Sequence, residues 1–388
     1  MHRRDFIKVM ATGSTVALLP SVLTACGESG ETGLEAWNGP MPDETDIRRI
    51  VLSYAILAPN PHNKQPWIVD LTGPNSFDLY VDQSRLLPET DPPFRQVHIG
   101  QGTFLENAAL AAASRGYAVD IVYFPAGQYG NTKVADKPVA SLTLTKDASA
   151  RVDPLFAQIT KRQSNKRVYD DLPVSAAQLA ELAGSINHPG FGLSNEAAMR
   201  GKLADIARQA MQIETSDKAR DAETIAMFRF NDEEQARFRD GFGVAQSGMS
   251  GLKKMVAETF FLDRQESEAD SSDFGAQAVK ITTDQANSAA AFGWITTPTN
   301  SRLDQVLTGR AYERLNLKAT GLGLAMHPMS QVLQEYADMS ALQGQFLDFL
   351  DVPEGHTVQM LFRLGVAEPV SHSARRRLAD IMADEGGY

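Results

Sequence analysis

Residues 58–67 read APNPHNKQPW, a stretch with two prolines around an asparagine, then a histidine and a second asparagine, running through Gln65-Pro66 into Trp67. Proline fixes φ and removes a donor, so Pro59 and Pro61 stiffen the segment, while Asn60 and Asn63 carry amides able to hold fixed hydrogen bonds. Immediately after it, WIVDL and FDLYVD alternate apolar and polar residues around the turn-rich TGPNS. That pattern predicts a β-hairpin. Upstream, ETDIRRIVLSYAILAP has apolar residues at helical spacing behind an acidic first turn, which predicts a helix. A rigid, amide-rich turn therefore sits between a helix and a hairpin.

Further on, GQGTFLENAALAAASRG (Gly100–Gly116) predicts an Ala-rich helix that stops at Gly116 and hands over to a strand. The same unit returns much later. GTFLENAALAAASRG (Gly102–Gly116) and GRAYERLNLKATGLG (Gly309–Gly323) share Gly-x3-Glu-x3-Leu-x-Ala-x3-Gly without a gap. Glu106 matches Glu313, Leu110 matches Leu317 and Ala112 matches Ala319. Matches at fixed offsets, bounded by glycine at both ends, point to an internal duplication. The chain accordingly divides into halves at 41–150 and 151–388. The second half is longer, with phenylalanines mixed among glycines and charges over about 225–275, the composition of a flap that is either a functional lid or an ordinary helical excursion covering the core.

A second constellation lies at Lys161–Val174, KRQSNKRVYDDLPV. Arg162, Ser164, Lys166 and Arg167 place three fixed charges and a hydroxyl within six residues. Guanidinium and hydroxyl groups chelate a phosphate, and a lysine can stabilise negative charge on a neighbouring ring. Alone, such a run is as readily a solvated charged face.

With both stretches on the page, a resemblance emerges. APNPHNKQPW resembles the Ala-Pro-Ser-x-x-Asn-x-Gln-Pro-Trp loop of the nitroreductase family of FMN enzymes, and RQSNKR resembles that family's Arg-x-Ser-x-Arg/Lys phosphate motif. A subunit of an ordinary nitroreductase carries both motifs, and each FMN site at the dimer interface draws one from each partner. Here the first half keeps only the loop and the second only the phosphate motif, with GSINHPGFG where a second loop would stand. This is similar to the Acg-type branch, in which one chain mimics a dimer and a lid covers the flavin. DGFGVAQSGMSGL, GLGLAMHPMSQ and LFRLGVAEPVSHSARRRL resemble that branch's lid, late helix end and C-terminal segment.

The resemblance implies an α+β nitroreductase-like fold, central and mostly antiparallel sheets flanked by helices, built from two fused related halves as a single-chain pseudo-dimer. It implies FMN as cofactor, with a small-molecule electron donor and an acceptor such as a quinone or nitroaromatic. By position, Arg162 and Ser164 hold the phosphate, helped by Arg375 or Arg376, and Lys166 or Arg167 lies near the flavin's pyrimidine edge. Pro59, Asn60, Pro61 and Asn63 line the ring or ribityl chain, Gln65 and Trp67 anchor the loop, and His327 and Ser330 form pocket wall. No side chain is marked as acid or nucleophile, because the flavin carries the hydride chemistry. The alternative is a protein that sequesters or stores FMN under its lid with little turnover. A structural lipoprotein without flavin is a third class, disfavoured by the retention of Arg162, Ser164 and Asn63.

Composition narrows the rest. A net charge of −11 argues against nucleic-acid binding. The seven histidines show no pair at metal-ligand spacing, no Gly-x-Ser-x-Gly elbow is present, and GLGLAM lacks the third glycine of a dinucleotide fingerprint. At the N-terminus, Arg3 and Arg4 precede a short apolar run that ends in LTAC. This resembles a twin-arginine signal with a lipobox over 1–26, making Cys26 the lipidated first residue of the mature chain. Residues 27–40 read as a polar, Gly-rich tether. The expectation is export to the periplasmic or cell-surface side, with membrane contact through the lipid anchor only. Cys26 is the single cysteine, so intrachain disulfides are excluded.

Overall fold

The computed structural model describes residues 32–260 and 263–383; the signal segment, Cys26 and the start of the expected tether lie outside them. Two four-stranded antiparallel sheets carry the architecture. The first comprises β1 (Trp67–Gly73), β2 (Ser76–Val81), β3 (Tyr117–Tyr123) and β4 (Ala140–Lys146) in the order β1-β2-β4-β3. The second comprises β5 (Phe191–Ser194), β6 (Ala291–Thr297), β7 (Ala325–Pro328) and β8 (Thr357–Gly365) in the order β5-β6-β8-β7. The two orders are the same when each sheet's strands are counted along the chain. The first sheet lies within 41–150 and the second within 151–388, the two stretches expected as halves.

Helices α1 (Ile47–Ala55) and α2 (Arg95–Ser114) belong to the first half, and α3 (Ala176–Ala183) opens the second. The expected helix before the loop, the hairpin after it and the helix ending near Gly116 are all present. Then α4 (Ala197–Glu214), α5 (Lys218–Met227), α6 (Asp232–Phe238), α7 (Gly251–Phe260), α8 (Arg264–Ala269) and α9 (Ser272–Asn287) fill the interval between β5 and β6. In the first half the corresponding strands, β1 and β2, are joined by a tight turn, so this excursion is what lengthens the second half. It contains the stretch 225–275 expected as a lid. Finally α10 (Arg302–Gly321) precedes β7, and α11 (Ser340–Phe349) precedes β8.

The paired long helices α2 and α10 form the centre. Both are 20 residues long and occupy the same place between the second and third strands of their sheets. Each is buried on several faces, as expected of a helix packed on more than one side. They approach most closely at Gly102 and Gly309, whose Cα atoms leave no room for a side chain. A Cβ built on Gly102 would stand 1.9 Å from the Val306 carbonyl oxygen, and one on Gly309 would stand 1.9 Å from that of Ile99. Both helices are followed by a left-handed glycine, Gly116 (φ 76°) and Gly323 (φ 71°). The glycines singled out by the sequence repeat are thus the crossing point and the stops of two equivalent helices.

Candidate functional site

The quoted loop is held in an unusual conformation. His62, Asn63 and Gln65 all have positive φ (49°, 53° and 53°), a region that costs residues with a Cβ roughly 1 kcal/mol or more each. Its own amides offset that cost. Asn60 Oδ1 accepts from the Gln65 amide at 2.7 Å, and Asn60 Nδ2 donates to the Ala58 carbonyl at 3.2 Å. Asn63 Nδ2 donates to the carbonyls of Gly241 (3.0 Å) and Ala374 (2.9 Å), and its Oδ1 accepts from Arg375 Nη1. Gln65 Nε2 donates to the Arg239 carbonyl at 2.8 Å, and its Oε1 accepts from the Arg376 amide at 2.7 Å. Asn63, expected to line the cofactor, borders the cavity described below, and its side-chain amide ties the loop to the insertion and to the C-terminal segment. Gln65 anchors the loop as expected, and the Trp67 side chain is fully buried beneath it.

Pro59, Asn60, Pro61, His62 and Asn63 border a cavity of about 1430 Å³ that the phosphate-motif stretch and the insertion also line. One end of it is built from arginine. Arg162 and Arg375 are each 2% exposed, and both donate to the same acceptor, the Leu57 carbonyl, at 3.1 and 3.2 Å. Arg162 Nε and Nη1 and Arg375 Nε are buried without a hydrogen-bond partner. Among the described residues the carboxylate that pairs with Arg162 is that of Glu313 on α10, 3.8 Å from Nε, too long for a hydrogen bond. Burial pushes Glu313 up to about 8, against the pull of Arg162, so near neutral pH it largely keeps its proton and does little to balance the arginines. Burial, and then the neighbouring Arg162, draws Arg375 well below its ordinary value. Two buried like charges with unmet donors form a site that an anion would complete. Ser164 lines the same cavity.

Trp37 roofs this end. Its ring lies 4.8 Å from the Arg375 guanidinium carbon and 5.8 Å from that of Arg162, and stacks on His372 at 3.9 Å. Its Nε1 donates to the Ser373 carbonyl at 2.9 Å. Residues 33–39 were expected as free tether, but Gly33 accepts from the Arg375 amide at 2.8 Å and Trp37 is buried. The ring's apolar area and cation–π contacts outweigh the polar composition of its neighbours.

Beyond the arginines stands a lone ammonium. Lys166 Nζ sits 3.7 Å from the centre of the Phe242 ring, and burial alone draws it down to about 8. The imidazoles around it are neutral. His62, edge-on to Phe242 at 5.5 Å, is pushed down to about 3 by burial and then by Lys166 and Lys64. His327 accepts at Nδ1 from Arg363 Nε at 3.2 Å, and burial, Arg363 and Lys166 hold it well below its usual range. His327 and Ser330 form wall as expected. Arg167 also lines the cavity, packed under the insertion's turn at Gly248, where an added Cβ would lie 2.4 Å from its Nε.

Arg376 is not brought to this cavity. It donates to the carbonyls of Gln65 (3.0 Å) and Trp67 (3.3 Å), to that of Asp380, and to Asp82 at 3.3 Å. Of the two tail arginines, Arg375 faces the cavity and Arg376 clamps the outside of the loop. Trp37, Glu313 and Phe242 were not singled out by sequence. Glu313 stood among the repeated positions and Phe242 within DGFGVAQSGMSGL, whereas Trp37 carried no signal. Among the described residues no cluster of His, Cys, Asp and Glu has the arrangement of a metal site.

No family model matches the chain. It is 25% identical over 362 residues, 90% of its length and 94% of the other's, to a Mycobacterium tuberculosis protein named as an NAD(P)H nitroreductase, Rv3131. It is 32% identical over 88 residues, 22% of this chain and 26% of the other, to the acg protein of the same organism, likewise named as an NAD(P)H nitroreductase. Among solved structures, a Bacteroides fragilis nitroreductase with bound FMN aligns with 60% of this chain and 100% of its own, at 16% identity and a TM-score of 0.33. Along nine-tenths of its length, then, the chain is similar to proteins named as NAD(P)H nitroreductases.

Proposed function

We propose that the cavity holds FMN and that the protein is an exported, lipid-anchored oxidoreductase of the nitroreductase type, built as a single-chain pseudo-dimer with one surviving site. The observation that carries this reading is the arginine end. Arg162 and Arg375 are buried together with unmet donors and no carboxylate at hydrogen-bond distance from Arg162 Nε. A phosphate monoester supplies the missing acceptors, and Ser164 adds a hydroxyl on the same lining. The cavity volume exceeds the roughly 300–1,000 Å³ of ordinary small-molecule sites, which leaves room for a cofactor and a second molecule.

FMN, when bound, would supply hydride acceptance and donation. The chain's own residues bind and orient it. Lys166, with no carboxylate partner among the described residues, offers positive charge to the anionic reduced ring. Pro59 to Pro61 give a stiff edge held by the loop's internal amides. The two equivalent central helices and the matching strand orders support the pseudo-dimer. The relatives' names support NAD(P)H as donor, with a quinone or nitroaromatic as acceptor.

Sequestration of FMN with slow turnover is the second reading. It is favoured by the aromatic cover, in which Phe228 contacts Phe242 and Phe274 edge-to-face at 5.8 and 5.7 Å. The visible spectrum of the purified protein, followed by anaerobic titration with dithionite and then NADPH, separates the cases. Bound flavin bleached by NADPH supports turnover. Bleaching by dithionite alone supports sequestration or a different donor, and absence of bound or bindable flavin overturns both. Export and anchoring rest on Arg3, Arg4 and the LTAC ending at Cys26. A Cys26→Ala variant that still partitions fully to membranes would overturn lipidation.

A further inference from the structure

We infer that the insertion-built end of the cavity is a subsite for an aliphatic chain, so that the acceptor is a flat-headed, lipid-soluble molecule of the prenylated quinone class. This rests on the oxidoreductase reading above and specifies its acceptor.

Three observations converge on it. First, α9 presents Phe274, Ala278 and Ile281 to the cavity lining at i, i+4 and i+7, one continuous helical stripe. Such a stripe is about 10 Å long, with Gln277 and the paired Lys280 and Asp284 of the same helix bordering the cavity beside it. Second, the stripe connects to the polar end through aromatic rings in contact. Phe274 meets Phe228, Phe228 meets Phe242, and Phe242 lies under Lys166. A polar, electron-accepting head beside Lys166 would therefore have an apolar path leading away from it. Third, the path reaches solvent at apolar residues. Val168 is 59% exposed and Ile281 is 42% exposed, and both belong to the cavity lining. Apolar area left exposed at the cavity lining gains nothing in the unliganded state and would gain on being covered by an apolar group. A chain lying along the stripe and leaving past Ile281 covers part of that area.

The test uses the full mature protein and two probes, a naphthoquinone bearing a two-unit prenyl chain and the same naphthoquinone with a methyl in its place. Binding is read by quenching of tryptophan fluorescence, since Trp37 lines the cavity, and flavin content is measured in parallel by absorbance. The expected result is that the prenylated probe binds at least about tenfold more tightly, each buried methylene adding favourably. Ile281→Asp and Ala278→Glu should bring that ratio close to one while the methyl probe's affinity stays the same. Met41→Asp, at an exposed apolar residue outside the cavity lining, should leave the ratio intact.

Equal affinities in the wild type, failure of both probes to bind, or a ratio untouched by both stripe variants would overturn the subsite. So would a ratio that falls equally in Met41→Asp, which would mark general surface adhesion. A protein that carries flavin but shows no chain dependence loses only this inference. A protein without flavin loses the cofactor reading, and its chain dependence is still read by the same quenching.

Discussion

Gly102 and Gly309 face each other across the central helix pair with their Cα atoms so close that a Cβ on Gly102 would stand 2.8 Å from the Gly309 Cα. Each also approaches the carbonyl three residues before the other, Ile99 and Val306, so the contact is reciprocal. Neither obstacle is a side chain that can rotate away. Gly102→Ala or Gly309→Ala should therefore cost about 3 kcal/mol or more, the upper range for overpacking, because whole helices must separate. Denaturant unfolding checks this, and a loss below about 1 kcal/mol would mean that the helices slide freely.

Glu106 and Glu313 occupy the same place in the repeat and should respond unequally. Glu106 bridges Arg310 at 2.7 Å and Arg314 at 2.8 Å and is itself buried. Removing it leaves two arginines without that partner, so Glu106→Gln should cost about 2–4 kcal/mol. Glu313, protonated by burial and 3.8 Å from Arg162, should tolerate Gln with a loss under about 1 kcal/mol. Equal losses in the two variants would contradict the asymmetry.

Arg162→Ala combined with Ser164→Ala should largely abolish FMN retention. Loss of charge-assisted hydrogen bonds of about 1.5–3 kcal/mol each predicts a weakening of at least about 100-fold. Arg376→Ala should instead lower stability and leave flavin affinity within about threefold, since Arg376 touches the loop's outer side. Flavin content after gel filtration and equilibrium binding of added FMN measure both effects. Unchanged retention in the double variant would remove the phosphate assignment.

Stability of the cofactor-free protein should peak near pH 6.5. Burial first raises Glu313 to about 8, Glu214 to about 7 and Asp91 to about 6. These groups hold their protons more tightly when folded, so stability is lost as pH rises from the carboxylate range through those values. His62 and His98 are lowered to about 3 and His372 to about 4, again by burial first. They stay neutral when folded, so stability is lost as pH falls below 6.5 and the unfolded chain takes up protons. Denaturant midpoints across this range should show both arms, and Glu313→Gln should flatten the alkaline one. A rise in stability from pH 6.5 to 8 would contradict the account.

The elements legible in the sequence are those set by local pattern. The hairpin at 67–81 alternates, the helix ending near Gly116 is Ala-rich, and the repeat around Gly102 and Gly309 survives because close helix contact tolerates nothing larger. Much of the site was legible too, since Arg162, Ser164, Lys166, Arg167 and Arg375 all reach one cavity. What escaped depends on distant contacts. Nothing local marks Trp37 as the roof over two arginines that come from positions 162 and 375. Nor does local sequence show that Asn63 spends its amide on Gly241 and Ala374, or which of Arg375 and Arg376 turns inward. The excursion between β5 and β6 is wider than the aromatic-rich stretch 225–275, because α4 and α9 read as ordinary amphipathic helices until they are seen packed together.

The 2.8 Å bond between the Gly33 carbonyl and the Arg375 amide fixes the start of the folded body to the arginine end of the cavity. Gly33 is the seventh residue after Cys26, a leash of at most about 25 Å even when fully stretched. For a chain moored to lipid at Cys26, that leash sets a ceiling on standoff. The arginine end would hang close beneath the headgroups at every orientation of the body, and a molecule leaving the bilayer would meet this cavity within a distance comparable to the membrane's own thickness.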